Sequence, residues 1–121
     1  MNLFDSSALL CFLQGEDGAD LVESQLDHPS VCSAANWSEV AQKVIGAGRD
    51  WSASRALLHN FSLSVEPVTE YDAEAAARLW RRGSGLSLGD RLCLATGDRL
   101  DATIWTADSA WGVTGRVRQV R

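Results

Sequence analysis

Apolar positions along the chain follow two spacings, one typical of buried strands and one typical of amphipathic helices. Short apolar or β-favouring runs predict strands at residues 2–4, 30–35, 62–68, 102–108 and 116–120. Helical spacing predicts helices over residues 6–14, 18–27, 36–48, 50–61 and 69–82, and another that contains Asp90. Strands that alternate with helices predict an α/β fold, a three-layer α/β/α sandwich with a central, mainly parallel sheet.

Polar residues at the predicted helix starts indicate where several of these helices begin. Asn36, Asp50 and Thr69 each stand just before an apolar-periodic segment and are predicted N-caps. Gly46 and Gly48 are predicted to end the helix that follows Asn36.

Length and composition favour one globular domain over residues 1–121. Hydrophobic residues make up 45% and charged residues 22% of the 121, an ordinary balance for such a domain. No apolar run approaches the ~18–20 residues that span a bilayer, so no membrane association is expected. The first ten residues carry an acid and no basic segment, unlike a secretory signal, and we expect a cytoplasmic protein. The odd cysteine count and wide spacing favour buried free thiols.

Four acidic residues fall where a parallel sheet gathers its strand ends. Asp5 follows the first strand, and Asp108 ends the strand predicted over 102–108. Asp90 lies in the first turn of its helix, and Glu39 lies on the helix after the second strand. Ligands of such sheets bind beyond the carboxyl ends of the strands. Four carboxylates there would repel one another unless a divalent cation were bound, and an all-oxygen site favours Mg²⁺ or Mn²⁺.

A cation site of this kind suits hydrolysis of a phosphodiester. The metal would lower the pKa of a water molecule and stabilise charge on the leaving oxygen, and two ions ~4 Å apart would do both. The hydroxyls of Ser6 and Thr106 flank the first and last acids and are predicted to orient them or to hold water.

Each acid also has a structural interpretation when taken alone. Asp5 and Asp108 are compatible with caps at strand ends. Glu39 is compatible with a capping box with Asn36, and Asp90 with a favourable charge at its helix N-terminus. Both interpretations stay open at this point, because the order of the strands in the sheet decides whether the acids meet.

The segments that carry these acids resemble those of the PIN domain family, most closely its VapC group of toxin ribonucleases. "FDSSALLCFLQGEDGA" carries Asp5, "CSAANWSEVAQKV" carries Glu39, "LSLGDRLCLATG" carries Asp90 and "TIWTADSAW" carries Asp108. The resemblance covers nearly the whole chain. It implies an α/β/α fold, Mg²⁺- or Mn²⁺-dependent endonucleolytic cleavage of RNA at these four acids, an antitoxin partner and a homodimer.

Basic residues offer a candidate surface for the phosphates of RNA. The net charge is −5, so any such contact must be local. Arg78, Arg81, Arg82 and Arg91 cluster between the helix predicted at 69–82 and the start of the Asp90 helix. A solvated helix end explains the same cluster equally well.

Two other functions compete with the nuclease. In a receiver or phosphohydrolase Asp5 would itself be phosphorylated, but receivers need paired acids after the first strand and a lysine near the last. Here Asp5 precedes two serines, and Lys43 is the sole lysine. The other alternative is a non-catalytic PIN-like module that only binds RNA or a partner.

Overall fold

Five parallel strands form one sheet in the order β3-β2-β1-β4-β5, and the computed structural model describes residues 1–121. The elements are β1 (Asn2–Phe4), α1 (Ser6–Gln14), α2 (Ala19–Leu26), β2 (Ser30–Ser33), α3 (Ala34–Gly46), α4 (Trp51–His59), β3 (Leu63–Glu66), α5 (Glu70–Arg78), α6 (Leu88–Arg99), β4 (Thr103–Thr106) and β5 (Val117–Gln119), with a 3-10 helix at Ser109–Trp111. The predicted alternation of strands and helices is confirmed, with boundaries that differ by a few residues.

Apolar side chains on the two faces of the sheet form two separate cores. Phe4 and Cys32 belong to the core beneath α1 to α4. Leu3 and Val31, their neighbours in sequence, belong to the core beneath α6. Neighbouring strand residues point to opposite faces, and β1 and β2 are buried along their whole length because both faces are covered. The predicted α/β/α sandwich is therefore confirmed.

The first strand lies at the centre of the sheet, which determines where a site can form. Leu3 pairs with Val31 of β2 on one side and with Ile104 of β4 on the other. The chain thus leaves β1 toward one edge of the sheet and later returns to its other side. Such a reversal opens a crevice at the carboxyl ends of the central strands.

The start of α3 differs from the prediction. The strand predicted over 30–35 ends at Ser33, and the helix begins at Ala34. The Ser33 hydroxyl accepts a hydrogen bond from the N–H of Ala35 at 3.2 Å and is the N-cap. The prediction of Asn36 as the N-cap is therefore wrong, because the small alanines before it join the helix and place Asn36 inside the first turn.

The helix predicted over 69–82 is shorter than expected. Thr69 is its N-cap, as predicted, in a reciprocal capping box with Asp72. The helix ends at Arg78, so Arg81 and Arg82 lie beyond it. The Arg81 guanidinium donates to the Arg78 carbonyl at 3.0 Å, which satisfies a carbonyl at the helix end.

A buried ion pair joins α5, α6 and β3. The Asp72 side chain is fully buried and accepts from Arg99, Nε to Oδ1 at 2.7 Å and Nη2 to Oδ2 at 3.0 Å. Arg99 Nη2 also contacts Oε1 of Glu66 at 3.0 Å. Burial alone would raise the pKa of Asp72, but hydrogen bonds from Arg99 and Thr69 outweigh it and hold the pKa below its ordinary value.

The three cysteines are buried and free, as predicted. Burial raises the pKa of each thiol above its ordinary value.

None of the helices has both the length and the apolar character needed to span a bilayer.

Replacing Gly97 by alanine is expected to destabilise the fold. Gly97 lies on α6 against the sheet, where an added Cβ would come within 2.6 Å of Cγ1 of Ile104 and 3.2 Å of Cδ2 of Leu3. We expect a loss of about 1–3 kcal/mol in the free energy of unfolding, measured by urea titration. Gly46→Ala at the end of α3 is the control, since nothing lies within 4 Å of its added Cβ. Equal stability of the two variants would contradict this account of the packing.

Candidate active site

Asp5 is the most buried acid at the carboxyl edge of the sheet. It follows β1 and caps α1, and its side chain accepts from the Ala8 N–H at 2.8 Å on Oδ1 and from the Thr106 hydroxyl at 2.6 Å on Oδ2. Burial and, to a smaller extent, the negative charge of Asp90 raise its pKa to about 6, against the lowering effect of these hydrogen bonds. A positive charge next to Asp5 would therefore stabilise its ionised form.

Two hydroxyls hold the Asp5 carboxylate. Ser7 Oγ lies 2.7 and 2.9 Å from its two oxygens and accepts from the Ala107 N–H at 2.9 Å. Thr106 lies against Asp5 where the sequence predicted it. The contact predicted for Ser6 is made by Ser7 instead, because a step of one residue turns the side chain by about 100° around the helix.

Glu39 lies half-buried on α3 and approaches the first turn of α6. Its Oε1 accepts from Nδ2 of the buried Asn36 at 2.6 Å. Gly89 of α6 is adjacent, since an added Cβ there would lie 2.8 Å from the same Oε1. Glu39 therefore abuts the turn that carries Asp90.

Asp90 and Asp108 both cap helical turns. Asp90 Oδ2 accepts from the Ser87 N–H at 2.9 Å, and the Ser87 hydroxyl accepts from the Asp90 N–H at 3.1 Å, which completes a capping box. Asp108 is exposed, and its Oδ1 accepts from the Ala110 N–H at 3.0 Å. The backbone N–H of Asp108 donates to Thr106 Oγ1 at 3.0 Å, which connects this loop to Asp5.

Three of the four acids act on one buried thiol. Burial is the main reason why the pKa of Cys93 is raised, and the charges of Asp5, Asp90 and Glu39 add to the effect. Asp5 follows β1 and Glu39 lies on the helix after the parallel strand β2, and Glu39 abuts the α6 turn that carries Asp90. These three acids therefore lie at one edge of the sheet, with the exposed Asp108 bonded to Thr106 beside Asp5.

The chemistry of these side chains fits a hard divalent cation. Glu39 Oε2, Asp90 Oδ1 and Asp108 Oδ2 accept no hydrogen bond from the protein, so each of these acids can cap with one oxygen and bind with the other. The conformation seen contains no group of three or more His, Cys, Asp or Glu side chains already close enough to hold an ion.

The largest cavity lies elsewhere. Its volume is about 680 Å³, and it runs between α5, α6 and the segment before β5, lined by residues such as Leu79, Leu94 and Trp111. None of the four acids lines it. The acidic residues thus form an open edge rather than an enclosed cavity.

The four predicted RNA-contacting arginines lie between the end of α5 and the first turns of α6. Arg78, Arg81 and Arg82 are exposed. Arg91 is half-buried, and its Nη1 donates to the Ala76 carbonyl of α5 at 2.9 Å. Part of the Arg91 side chain is thereby used in packing α6 on α5, and contact with RNA stays a prediction for all four.

In metal-free protein, Asp5→Asn is expected to stabilise the fold at high pH. A folded-state pKa of about 6, raised above the unfolded value, means that stability falls as the pH rises from about 4 to about 6. Asparagine avoids this penalty and still caps a helix well. We expect about 2 kcal/mol of added stability at about pH 8 and none at about pH 4.

Urea titration in EDTA at both pH values measures this difference. Asp20→Asn, at an exposed position of α2, is the control and should change stability little at either pH. An Asp5→Asn variant no more stable than the wild type at the higher pH would contradict the raised pKa.

The chain matches one family of known proteins. The sequence model of the PIN domain matches residues 3–116. The chain therefore belongs to the PIN domain family. No curated protein sequence matches the chain significantly.

Solved structures with the same fold come from several bacteria. A toxin–antitoxin complex from Klebsiella pneumoniae superposes with a TM-score of 0.83 at 20% identity, covering 100% of this chain and 98% of that one. VapC20 of Mycobacterium tuberculosis, a sarcin–ricin loop cleaving toxin, gives 0.71 at 17% identity, covering 94% and 97%. FitAcB from Neisseria gonorrhoeae gives 0.59 at 20% identity, covering 91% and 89%. At these identities the likeness concerns the fold.

Proposed function

We propose that this chain is a Mg²⁺- or Mn²⁺-dependent endoribonuclease, the toxin of a toxin–antitoxin pair. The observation that carries the proposal is the buried Asp5 carboxyl, which lies with Glu39 and Asp90 at the same edge of the sheet of a PIN fold. A buried carboxyl that shares its surroundings with other acids is typical of functional sites.

The acids and their neighbours divide the work at this edge. Asp5, Glu39, Asp90 and Asp108 would hold the metal, which when bound supplies Lewis-acid stabilisation and lowers the pKa of water. Ser7 and Thr106 keep the Asp5 carboxylate in one orientation through the bonds described above. Four arginines are proposed to bind RNA phosphates and so to position the RNA strand. They are Arg78, Arg81, Arg82 and Arg91.

Partners and compartment are part of the same proposal. Two of the structures with this fold are a toxin–antitoxin complex and a toxin that cleaves the sarcin–ricin loop, which supports RNA as the substrate and an antitoxin as the partner. We further propose that residues 1–121 form a single nuclease domain, that two copies of the chain form a homodimer, and that the protein acts in the cytoplasm. The three buried free thiols are compatible with that reducing compartment.

Cleavage of a labelled RNA with and without EDTA tests the proposal. Hydrolysis by water with departure of the 3′-oxygen predicts products with a 3′-hydroxyl and a 5′-phosphate. We expect cleavage in Mg²⁺ or Mn²⁺ and none in EDTA. Cleavage that persists in EDTA would refute the metal-dependent mechanism.

A non-catalytic PIN module is the second candidate, because every one of the four acids already has a local partner in the structure. Asp5, Asp90 and Asp108 cap helical turns, and Glu39 accepts from Asn36. Retarded migration of RNA without any cleavage in Mn²⁺ would favour this candidate. Metal-dependent cleavage would exclude it.

A further inference from the structure

Asn36 is a fully buried amide whose two ends have very different surroundings. Its Nδ2 donates to Glu39 Oε1 at 2.6 Å and lies 3.4 Å from the Gly89 carbonyl. Its Oδ1 is buried and has no hydrogen-bond partner. A buried acceptor without a partner is unfavourable, and an apolar side chain of similar size would avoid that cost.

The position of Asn36 in the helix does not account for it. Ser33 already provides the N-cap of α3, so the amide is not needed there. Both polar groups beside it, the Glu39 carboxylate and the Gly89 carbonyl, are acceptors, which forces the amide N–H₂ toward them and its oxygen away. The one clear consequence of this unfavourable arrangement is a fixed Glu39.

Gly89 contributes room for the same carboxylate. Its backbone is ordinary helix, so left-handed conformational freedom does not explain the glycine. An added Cβ would lie 2.8 Å from Oε1, 3.1 Å from Cδ and 3.3 Å from Oε2 of Glu39. Any larger residue would push the end of the flexible Glu39 side chain off α6.

We propose that Asn36 and Gly89 form a positioning pair that fixes the Glu39 carboxylate against the first turn of α6 and keeps its Oε2 unbonded for a divalent cation. Neither residue touches the cation, and both act through Glu39. This inference rests on the function proposed above. It explains the unfavourable, unpartnered Asn36 oxygen as a consequence of positioning Glu39 for the cation.

Two variants separate this role from a structural one. Asn36→Leu removes the hydrogen bond to Glu39 together with the unpartnered oxygen, and Gly89→Ala displaces the Glu39 carboxylate. For each we expect about ten-fold weaker Mn²⁺ binding by calorimetry without RNA, with a melting temperature in EDTA unchanged or higher. A structural Asn36 would give the opposite pattern, with a lower melting temperature and unchanged Mn²⁺ affinity, and would overturn the proposal.

A double-mutant cycle shows whether the pair acts through Glu39. Once Glu39→Ala has removed the carboxylate, Asn36→Leu should weaken Mn²⁺ binding no further. A further loss of about ten-fold would refute the positioning role. Gly46→Ala is the matched control for Gly89→Ala, because its added Cβ meets nothing within 4 Å.

The outcomes distinguish this inference from the proposed function. If the wild type binds no Mn²⁺, the metal-dependent function fails and the inference fails with it. If the wild type binds Mn²⁺ and Glu39→Ala weakens binding, but Asn36→Leu and Gly89→Ala do not, then only the positioning pair is refuted.

Discussion

Replacing Asp90 by asparagine is expected to lower the rate of RNA cleavage by at least about 100-fold in saturating Mg²⁺. The substitution removes one of the four negative charges proposed to hold the metal, a charge that also raises the pKa values of Asp5 and Cys93. It leaves an oxygen that can still accept from the Ser87 N–H, so the capping box and the fold should persist. A gel assay with a labelled RNA gives the rate, and circular dichroism gives the melting temperature.

Asp98→Asn provides the matched control on the same helix. Asp98 lies at the other end of α6, where its exposed carboxylate contacts Arg116 at 3.5 Å. The same chemical change there should alter cleavage less than about two-fold, since an exposed ion pair contributes little. Equal effects of the two substitutions would indicate that overall charge, and not the acidic edge, governs activity.

Replacing Asp72 by alanine is expected to be the most destabilising of the substitutions considered. It leaves Arg99 without its buried partner and removes half of the capping box with Thr69. Removing one partner of a buried ion pair is strongly destabilising, but the effect is smaller here because the Arg99 side chain is 24% exposed. We therefore expect the free energy of unfolding to fall by about 3 kcal/mol. Glu66→Ala, which removes the more exposed partner of Arg99, should cost about 1 kcal/mol or less.

The same pair predicts the acid sensitivity of the fold. Since the folded-state pKa of Asp72 is lowered, its contribution is complete above the unfolded value of about 4 and is lost as the pH falls through the folded value. Urea titrations at several acidic pH values should show the gap between wild type and Asp72→Ala closing as the pH falls. A gap that stays constant below about pH 4 would contradict the ion-pair account.

Much of the fold follows from local patterns in the sequence. Strand and helix spacing is a property of neighbouring residues, and a strand covered on both faces is buried along its whole length, as β1 and β2 are. Asp5 could be placed at the site because it directly follows the first strand. The end of that strand lies at the crevice once the strands are parallel.

Other features depend on side-chain direction, which the sequence pattern does not give. Ser6 and Ser7 are equivalent in a sequence pattern, yet only Ser7 points at the Asp5 carboxylate. Asn36 resembles a cap, but the alanines before it extend the helix. The pair of Asp72 and Arg99 joins residues 27 apart and leaves no periodic signal.

The structural and functional interpretations of the acids are compatible with each other. A carboxylate has two oxygens, and Glu39, Asp90 and Asp108 each use one of them in a local hydrogen bond. The local bonds hold each acid at the carboxyl edge of the sheet, and the second oxygen remains unbonded. The capping roles therefore place the acids without consuming their capacity to bind a cation.

Measuring the pKa of Asp5 by carbon-13 NMR, first in EDTA and then in saturating Mg²⁺, tests the central claim most directly. We predict a pKa of about 6 in EDTA and a value far below 6 in Mg²⁺, because a bound cation stabilises the charged carboxylate. An Asp5 carboxyl that still titrates near 6 in saturating Mg²⁺ would show that no cation binds beside it and would contradict the account.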